Sequence, residues 1–142
     1  MAEELGLKKN VFFLGFVSID ELVALYQNAF ALVFASFFGP DNIPPLEAFA
    51  LGCPVISAKF AGAEDQLKGA ALLFDPKSEH ELAATIKKLY DNPVLKSTII
   101  NKGKQKAAHW TSLDYVNKIS DIFDEFEPIR RCWSSNEPYE HK

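Results

Sequence analysis

The segment from Ser36 to Glu47 carries the residues best placed for chemistry. It follows an apolar run and leads into a helical pattern, so its backbone N–H groups converge where an anion can sit. Pro44 and Pro45 lack an N–H group, which leaves the amides around Gly39 and those of residues 41–43 as the donors. The segment therefore predicts an anion-binding loop that ends in a helix N-terminus.

Two carboxylates of this segment are candidate binding groups. Glu47 falls about one turn inside the helix, where its carboxylate can accept two hydroxyl hydrogen bonds from a sugar such as a ribose. Asp41 would be repelled by a phosphate and suits a sugar hydroxyl better. A purely structural explanation is equally open, because a Pro-Pro-Leu-Glu sequence begins a helix well and the helix dipole favours Glu47.

Other polar residues give weaker indications of a site. Glu64, in the segment after a third apolar run, is a candidate polar contact, although a capped short helix explains the segment better. The three histidines have no metal-ligand spacing and are interpreted as surface residues. Cys53 and Cys132 lie far apart without a CxxC pattern, so we expect no metal site, a buried Cys53 and a reducing cytoplasmic environment.

The composition excludes several classes of protein. The 142 residues are 48% hydrophobic and 24% charged, which is typical of an ordinary globular domain. Fifteen basic against nineteen acidic residues give a net charge of −4, so a nucleic-acid partner is not expected. The longest apolar stretch, residues 29–38, is about ten residues long, whereas a membrane-spanning helix needs about twenty. The acidic N-terminal residues do not resemble a secretory signal.

Short apolar runs alternate with helical patterns along the chain. The runs predict buried strands at residues 11–15, 31–35, 54–58 and 71–74. Helices are expected after Ser18, from Pro44 to a stop at Gly52, from Ser78 to about Tyr90, from Pro93 toward His109, and in a last stretch to about Phe126. This alternation predicts an α/β fold, a Rossmann-like parallel sheet with helices on both faces, over residues 1–127. Residues 128–142 are expected to form a C-terminal tail.

The sequence from Gly39 to Ile56 resembles the donor-site signature of group 1 (family 4) glycosyltransferases. In that family a serine, two apolar residues, Glu-Gly-Phe-Gly, one apolar residue and Pro-Pro-Leu-Glu-Ala precede Gly-x-Pro-Val. This chain has Gly-Pro-Asp-Asn-Ile-Pro-Pro-Leu-Glu-Ala followed by Gly-Cys-Pro-Val. The flanks at residues 11–26 and 69–76 agree, and the similarity extends over about residues 3–110, in order and at the right spacing.

The resemblance implies a fold, an activity and a set of site residues. It implies the C-terminal, donor-binding half of a GT-B enzyme, an arrangement of two Rossmann-like domains, here expected without the first strands of its sheet. It implies retaining transfer of a hexosyl unit from a UDP- or GDP-sugar to a glycan or lipid acceptor, without a metal or cofactor. Glu47 would bind the ribose and the backbone of Asn42 and Ile43 would face the phosphate, while Gly15, Phe16 and Val17 line the base. Gly39 and Glu64 would also lie near the donor.

The sequence departs from the family pattern in two ways. Eight residues before Glu47, where the family has its first glutamate beside the transferred sugar, this chain has Gly39. Either Asp41 or Asn42 is expected to take this catalytic place, or the choice of sugar is expected to differ. The basic pair and the acceptor domain of the family precede the point where this chain begins. We therefore expect this chain to be inactive alone and to self-associate through an unpaired sheet edge. The alternative is a non-catalytic α/β interaction domain that kept the glycosyltransferase fold.

Overall fold

A parallel sheet with helices on both faces forms the centre of the molecule. The computed structural model describes residues 3–37, 43–60, 62–67, 69–109 and 112–133. Within these ranges the strands are β1 (Leu32–Phe34), β2 (Val55–Ala58) and β3 (Ala71–Phe74). They pair in that order and all run parallel, with Leu32 opposite Val55 and Val55 opposite Ala71. The predicted α/β, Rossmann-like fold is confirmed.

In the described ranges one helix precedes the strands and the others connect or follow them. Helix α1 spans Ile19–Asn28, α2 spans Ile43–Leu51, and the short α3 spans Ala63–Leu67. They are followed by α4 (Glu79–Asp91), α5 (Pro93–Ala108) and α6 (Ser112–Trp133). Each β–α–β unit brings the chain from the carboxyl end of one strand back to the start of the next, as parallel pairing requires.

The alternation of side chains along β2 divides the core into two halves. Val55 joins a buried cluster with Ala48 and Phe49 of α2, whereas Ile56 joins another with Leu89 of α4. Every residue of β2 is buried. The central strand is therefore covered on both faces, which explains its uninterrupted apolar sequence.

Two predicted helix signals form as expected. The hydroxyl of Ser18 accepts the N–H of Glu21 at 3.3 Å, and the Glu21 carboxylate accepts the N–H of Ser18 at 2.8 Å, which completes a capping box at α1. Helix α2 ends at Leu51, and the following Gly52 has φ +76°. The N–H of Cys53 there donates a hydrogen bond to the carbonyl of Ala48 at 2.8 Å. Glycine adopts this left-handed conformation without strain, so Gly52 fixes the turn from α2 into β2.

Two predictions about elements were wrong. Residues 11–15 form no strand and are exposed, Phe13 at 94%. In the described ranges no strand pairs with them, and a lone extended segment has no partner for its backbone hydrogen bonds. The last helix continues past the predicted end near Phe126, through Pro128, to Trp133. A proline inside a helix removes one hydrogen bond and here does not end it. The division of the chain after residue 127 stays a prediction.

Glu81 links the ends of β2 and β3. The hydroxyl of Ser78 caps α4 by accepting the N–H of Glu81 at 3.1 Å. The carboxylate of Glu81 accepts a hydrogen bond from the N–H of Asp75 at 2.9 Å and another from the ammonium of Lys59 at 3.0 Å. Both contacts lower the pKa of the Glu81 carboxyl below its usual range, and the hydrogen bond from Asp75 has the larger effect. The ionised carboxylate therefore stabilises the fold.

This linkage predicts a pH-dependent stability difference. Because the folded pKa of Glu81 is lowered, its contribution is complete above the unfolded pKa of about 4.3 and is lost as the pH falls through the folded value. The substitution Glu81→Gln should lower the free energy of unfolding at about pH 7, and the difference should shrink toward about pH 3. Urea unfolding at both pH values measures it. The exposed Glu79→Gln on the same helix is the matched control, and an equal cost at both pH values would contradict the assignment.

Candidate functional site

The carboxyl ends of β1 and β2 meet at one edge of the sheet. Beyond β1 the chain leads to α2, which begins at Ile43, and beyond β2 it leads to α3. In open α/β sheets this edge is where ligands bind. Ile43 is exposed there. Gly39, Asp41 and Asn42 lie outside the described residues, so their predicted roles stay predictions.

Glu47 lies about one turn after the start of α2, and its side chain is exposed. The hydroxyl of Tyr26, on α1, donates a hydrogen bond to its Oε2 at 3.2 Å. Burial, and then the charge and hydrogen bond of Glu47, raise the pKa of Tyr26 to about 12. Tyr26 therefore stays protonated near neutral pH and acts as the donor of this pair.

A cavity of about 950 Å³ opens beside Glu47 between α2, α3 and α5. This volume is within the range of small-molecule sites, about 300–1,000 Å³. Glu47 and Asp65 line it together with Lys102 and Lys106 of α5 and with His109, which follows this helix. The cavity thus has acidic groups on α2 and α3 and basic groups on α5.

The basic residues of α5 were missed by the sequence analysis, although a usable signal was present. Lys102, Lys106 and His109 are spaced by four and three residues, and such residues share one face of a helix. His109 lies at the C-cap of α5, where its Nδ1 is 2.7 Å from the carbonyl oxygen of Gln105. It is exposed, as was predicted for a surface histidine.

Glu64 lies on a second, smaller cavity. This cavity measures about 300 Å³ and is lined by Glu64 and Asp65 of α3 and by Lys59 and Phe60 after β2. Asp65 lines both cavities, whereas Glu64 lines this one and not that of Glu47. The short helix predicted for this segment is confirmed, and a role for Glu64 in donor binding stays a prediction.

The three residues predicted to line the base precede α1. Gly15 has φ +64°, Phe16 is fully exposed, and Val17 is half-buried before the cap at Ser18. Neither of the two cavities, as the described residues define them, includes these three residues. Their predicted contact with a base stays a prediction.

The described ranges contain no cluster of three or more His, Cys, Asp or Glu side chains arranged for a metal ion. Cys53 is buried, as predicted, and burial raises the pKa of its thiol. None of the helices in the part of the chain that the structure describes is both long and apolar enough to cross a membrane.

The parallel sheet with helices on both faces, and Glu47 near the carboxyl ends of its strands, are those of a Rossmann-like domain. The chain belongs to the group 1 glycosyltransferases: the family model "Glycosyl transferases group 1" matches residues 1–106. The resemblance drawn from the Pro-Pro-Leu-Glu segment is thereby confirmed.

Individual relatives agree with this family. The O-antigen chain mannosyltransferase RfbU of Salmonella typhimurium is 38% identical over 93 residues, which cover 66% of this chain and 26% of that protein. The C-terminal domain of the group 1 glycosyltransferase LpcC from Francisella tularensis has a TM-score of 0.65 and 29% identity, covering 75% of this chain and 56% of that one.

A more distant structure shares the fold. Sucrose-phosphate synthase from Thermosynechococcus elongatus has a TM-score of 0.76 at 22% identity and covers 90% of this chain and 33% of that one. The chain spans about a quarter to a third of the length of the curated relatives it matches first.

Proposed function

We propose that this chain binds the nucleotide-sugar donor of a hexosyltransferase, with Glu47 accepting the ribose hydroxyls. The observation that carries the proposal is the exposed Glu47 carboxylate, which lies near the strand ends and is hydrogen-bonded by Tyr26 beside a cavity of about 950 Å³. Lys102 and Lys106 add positive charge to the same cavity.

The proposed chemistry is retaining transfer of a hexosyl unit from a UDP- or GDP-sugar to a glycan or lipid acceptor. The group 1 family membership and the mannosyltransferase relative support a sugar transferase. In the transition state the leaving diphosphate gathers negative charge, which backbone N–H groups at the start of α2, near Asn42 and Ile43, would stabilise. Asp41 or Asn42 would lie beside the transferred sugar.

We propose that this chain alone binds the donor without turning it over. Gly39 stands where the family has its first glutamate, so that carboxylate is missing from the motif. The acceptor is assigned to a part of the enzyme outside this chain. Self-association is proposed through β1, whose Val33 is 40% exposed, and through the apolar residues 11–16. The cytoplasmic location stays a prediction.

Calorimetric titration with UDP, GDP and their hexose conjugates tests the donor assignment. We expect saturable binding of one nucleotide and its conjugate, weakened roughly tenfold or more by Glu47→Ala, because hydrogen bonds to a charged group are lost. The control is Glu79→Ala, an exposed glutamate of α4. Binding unaffected by Glu47→Ala would contradict the ribose assignment. The absence of binding by any of the nucleotides would favour the non-catalytic interaction domain.

A further inference from the structure

The ring of Tyr26 is a fixed element next to Glu47. Tyr26 is 9% exposed and belongs to the buried cluster that includes Ala48, Phe49 and Val55. Its hydroxyl reaches out of this cluster to Glu47 Oε2 at 3.2 Å. The hydroxyl is thus held by the packing of α1 on α2, and its position does not depend on a flexible side chain.

Glu47 itself has no such restraint. Its side chain is exposed and rotates about three bonds, so a free carboxylate would sample several rotamers. Among the described residues its one hydrogen bond is that from Tyr26, which occupies Oε2. A carboxylate oxygen has two acceptor positions, so Oε1 and part of Oε2 stay available to a ligand.

The direction of the hydrogen bond is also fixed. Tyr26, whose pKa is raised to about 12, keeps its proton near neutral pH. Its hydroxyl therefore donates and Glu47 Oε2 accepts. A ligand hydroxyl that approaches Glu47 therefore meets a carboxylate that already accepts one hydrogen bond at Oε2 and is held by it.

We infer that Tyr26 is a positioning residue that holds the Glu47 carboxylate in the rotamer that accepts the ribose hydroxyls. This inference rests on the proposed function of Glu47. The physical basis is preorganisation: a carboxylate already restrained by a buried hydroxyl loses less conformational freedom when the ligand binds. The residue acts through Glu47 and does not itself touch the ligand.

The substitution Tyr26→Phe removes the hydroxyl and keeps the buried ring. We expect it to weaken the binding of UDP or GDP, whichever the unmodified chain binds, by roughly three- to tenfold, as for the loss of one hydrogen bond. The matched control is Tyr90→Phe, since Tyr90 is exposed and its ring lies by Phe30. Thermal unfolding of both variants shows whether the fold is retained.

A positioning role for Tyr26 predicts two results that a merely structural role does not. The Tyr26→Phe penalty should disappear for the 2′,3′-dideoxy form of the same nucleotide, and it should also disappear in the Glu47→Ala background. An equal loss for both nucleotides, or no loss for either, would overturn the inference while leaving Glu47-dependent binding intact. If the unmodified chain binds neither UDP nor GDP, the proposed function fails first, and this inference fails with it.

Discussion

Replacing Phe49 with alanine is expected to lower the free energy of unfolding by about 3–5 kcal/mol. Phe49 is 2% exposed and is among the largest fully buried side chains of the described residues. It lies in the buried cluster with Val55 and packs against Gly103, which joins α2 to α5. Its removal would leave a cavity between the helix that carries Glu47 and the helix that carries the basic groups.

Chemical unfolding monitored by circular dichroism measures this loss. The matched control is Phe123→Ala, which removes the same atoms from a side chain of α6 that is 67% exposed. That control should change the unfolding free energy by no more than about 0.5 kcal/mol. Equal effects of the two substitutions would show that Phe49 is not the centre of the contact between α2 and α5.

Introducing valine at Gly103 is expected to destabilise the fold by about 1–3 kcal/mol through overpacking. A Cβ atom at Gly103 would come within 2.7 Å of Cδ1 and 3.1 Å of Cγ of Phe49. Carbon atoms do not approach so closely without displacement, so either the Phe49 ring or one of the two helices must shift. This destabilisation is expected although valine has a higher helix propensity than glycine, which is among the poorest residues for the interior of a helix.

A double variant separates overpacking from a helix effect. With Phe49→Ala already present, Gly103→Val should cost much less, since the ring that it meets is gone. The control is Asn101→Val at an exposed position on the same helix. This substitution introduces the same β-branched side chain but no contact with Phe49. Strict additivity of the two substitutions in urea unfolding would contradict the packing shown by the structure.

Local signals in the sequence predicted most of the described elements. The strands β1, β2 and β3 follow from continuous apolar runs, and Ser18 and Gly52 mark the ends of helices because their backbone hydrogen bonds are local. The segment at residues 11–15 was misassigned because a strand also needs a neighbour, and pairing depends on distant residues. Helix α6 passes Pro128 because a proline disturbs only the preceding turn.

The candidate site was only partly predictable. Glu47 stood out by its position in a known motif, whereas its bond to Tyr26 spans twenty-one residues and depends on how α1 packs on α2. The α5 groups are more than fifty residues from Glu47 in sequence. Helical spacing places Lys102 and Lys106 on one face, but only the packing of α5 against α2 brings that face to the cavity.

The most direct test of the central claim is nuclear magnetic resonance of the 15.9 kDa chain titrated with UDP and GDP. Backbone amide shifts report which residues feel the ligand. We expect saturable changes concentrated at residues 15–17 and 39–47, and in Glu47→Gln the same changes should require a higher nucleotide concentration. Changes confined to other surfaces, or changes at these residues that persist unaltered in Glu47→Gln, would contradict the assignment of Glu47 as the ribose-binding carboxylate.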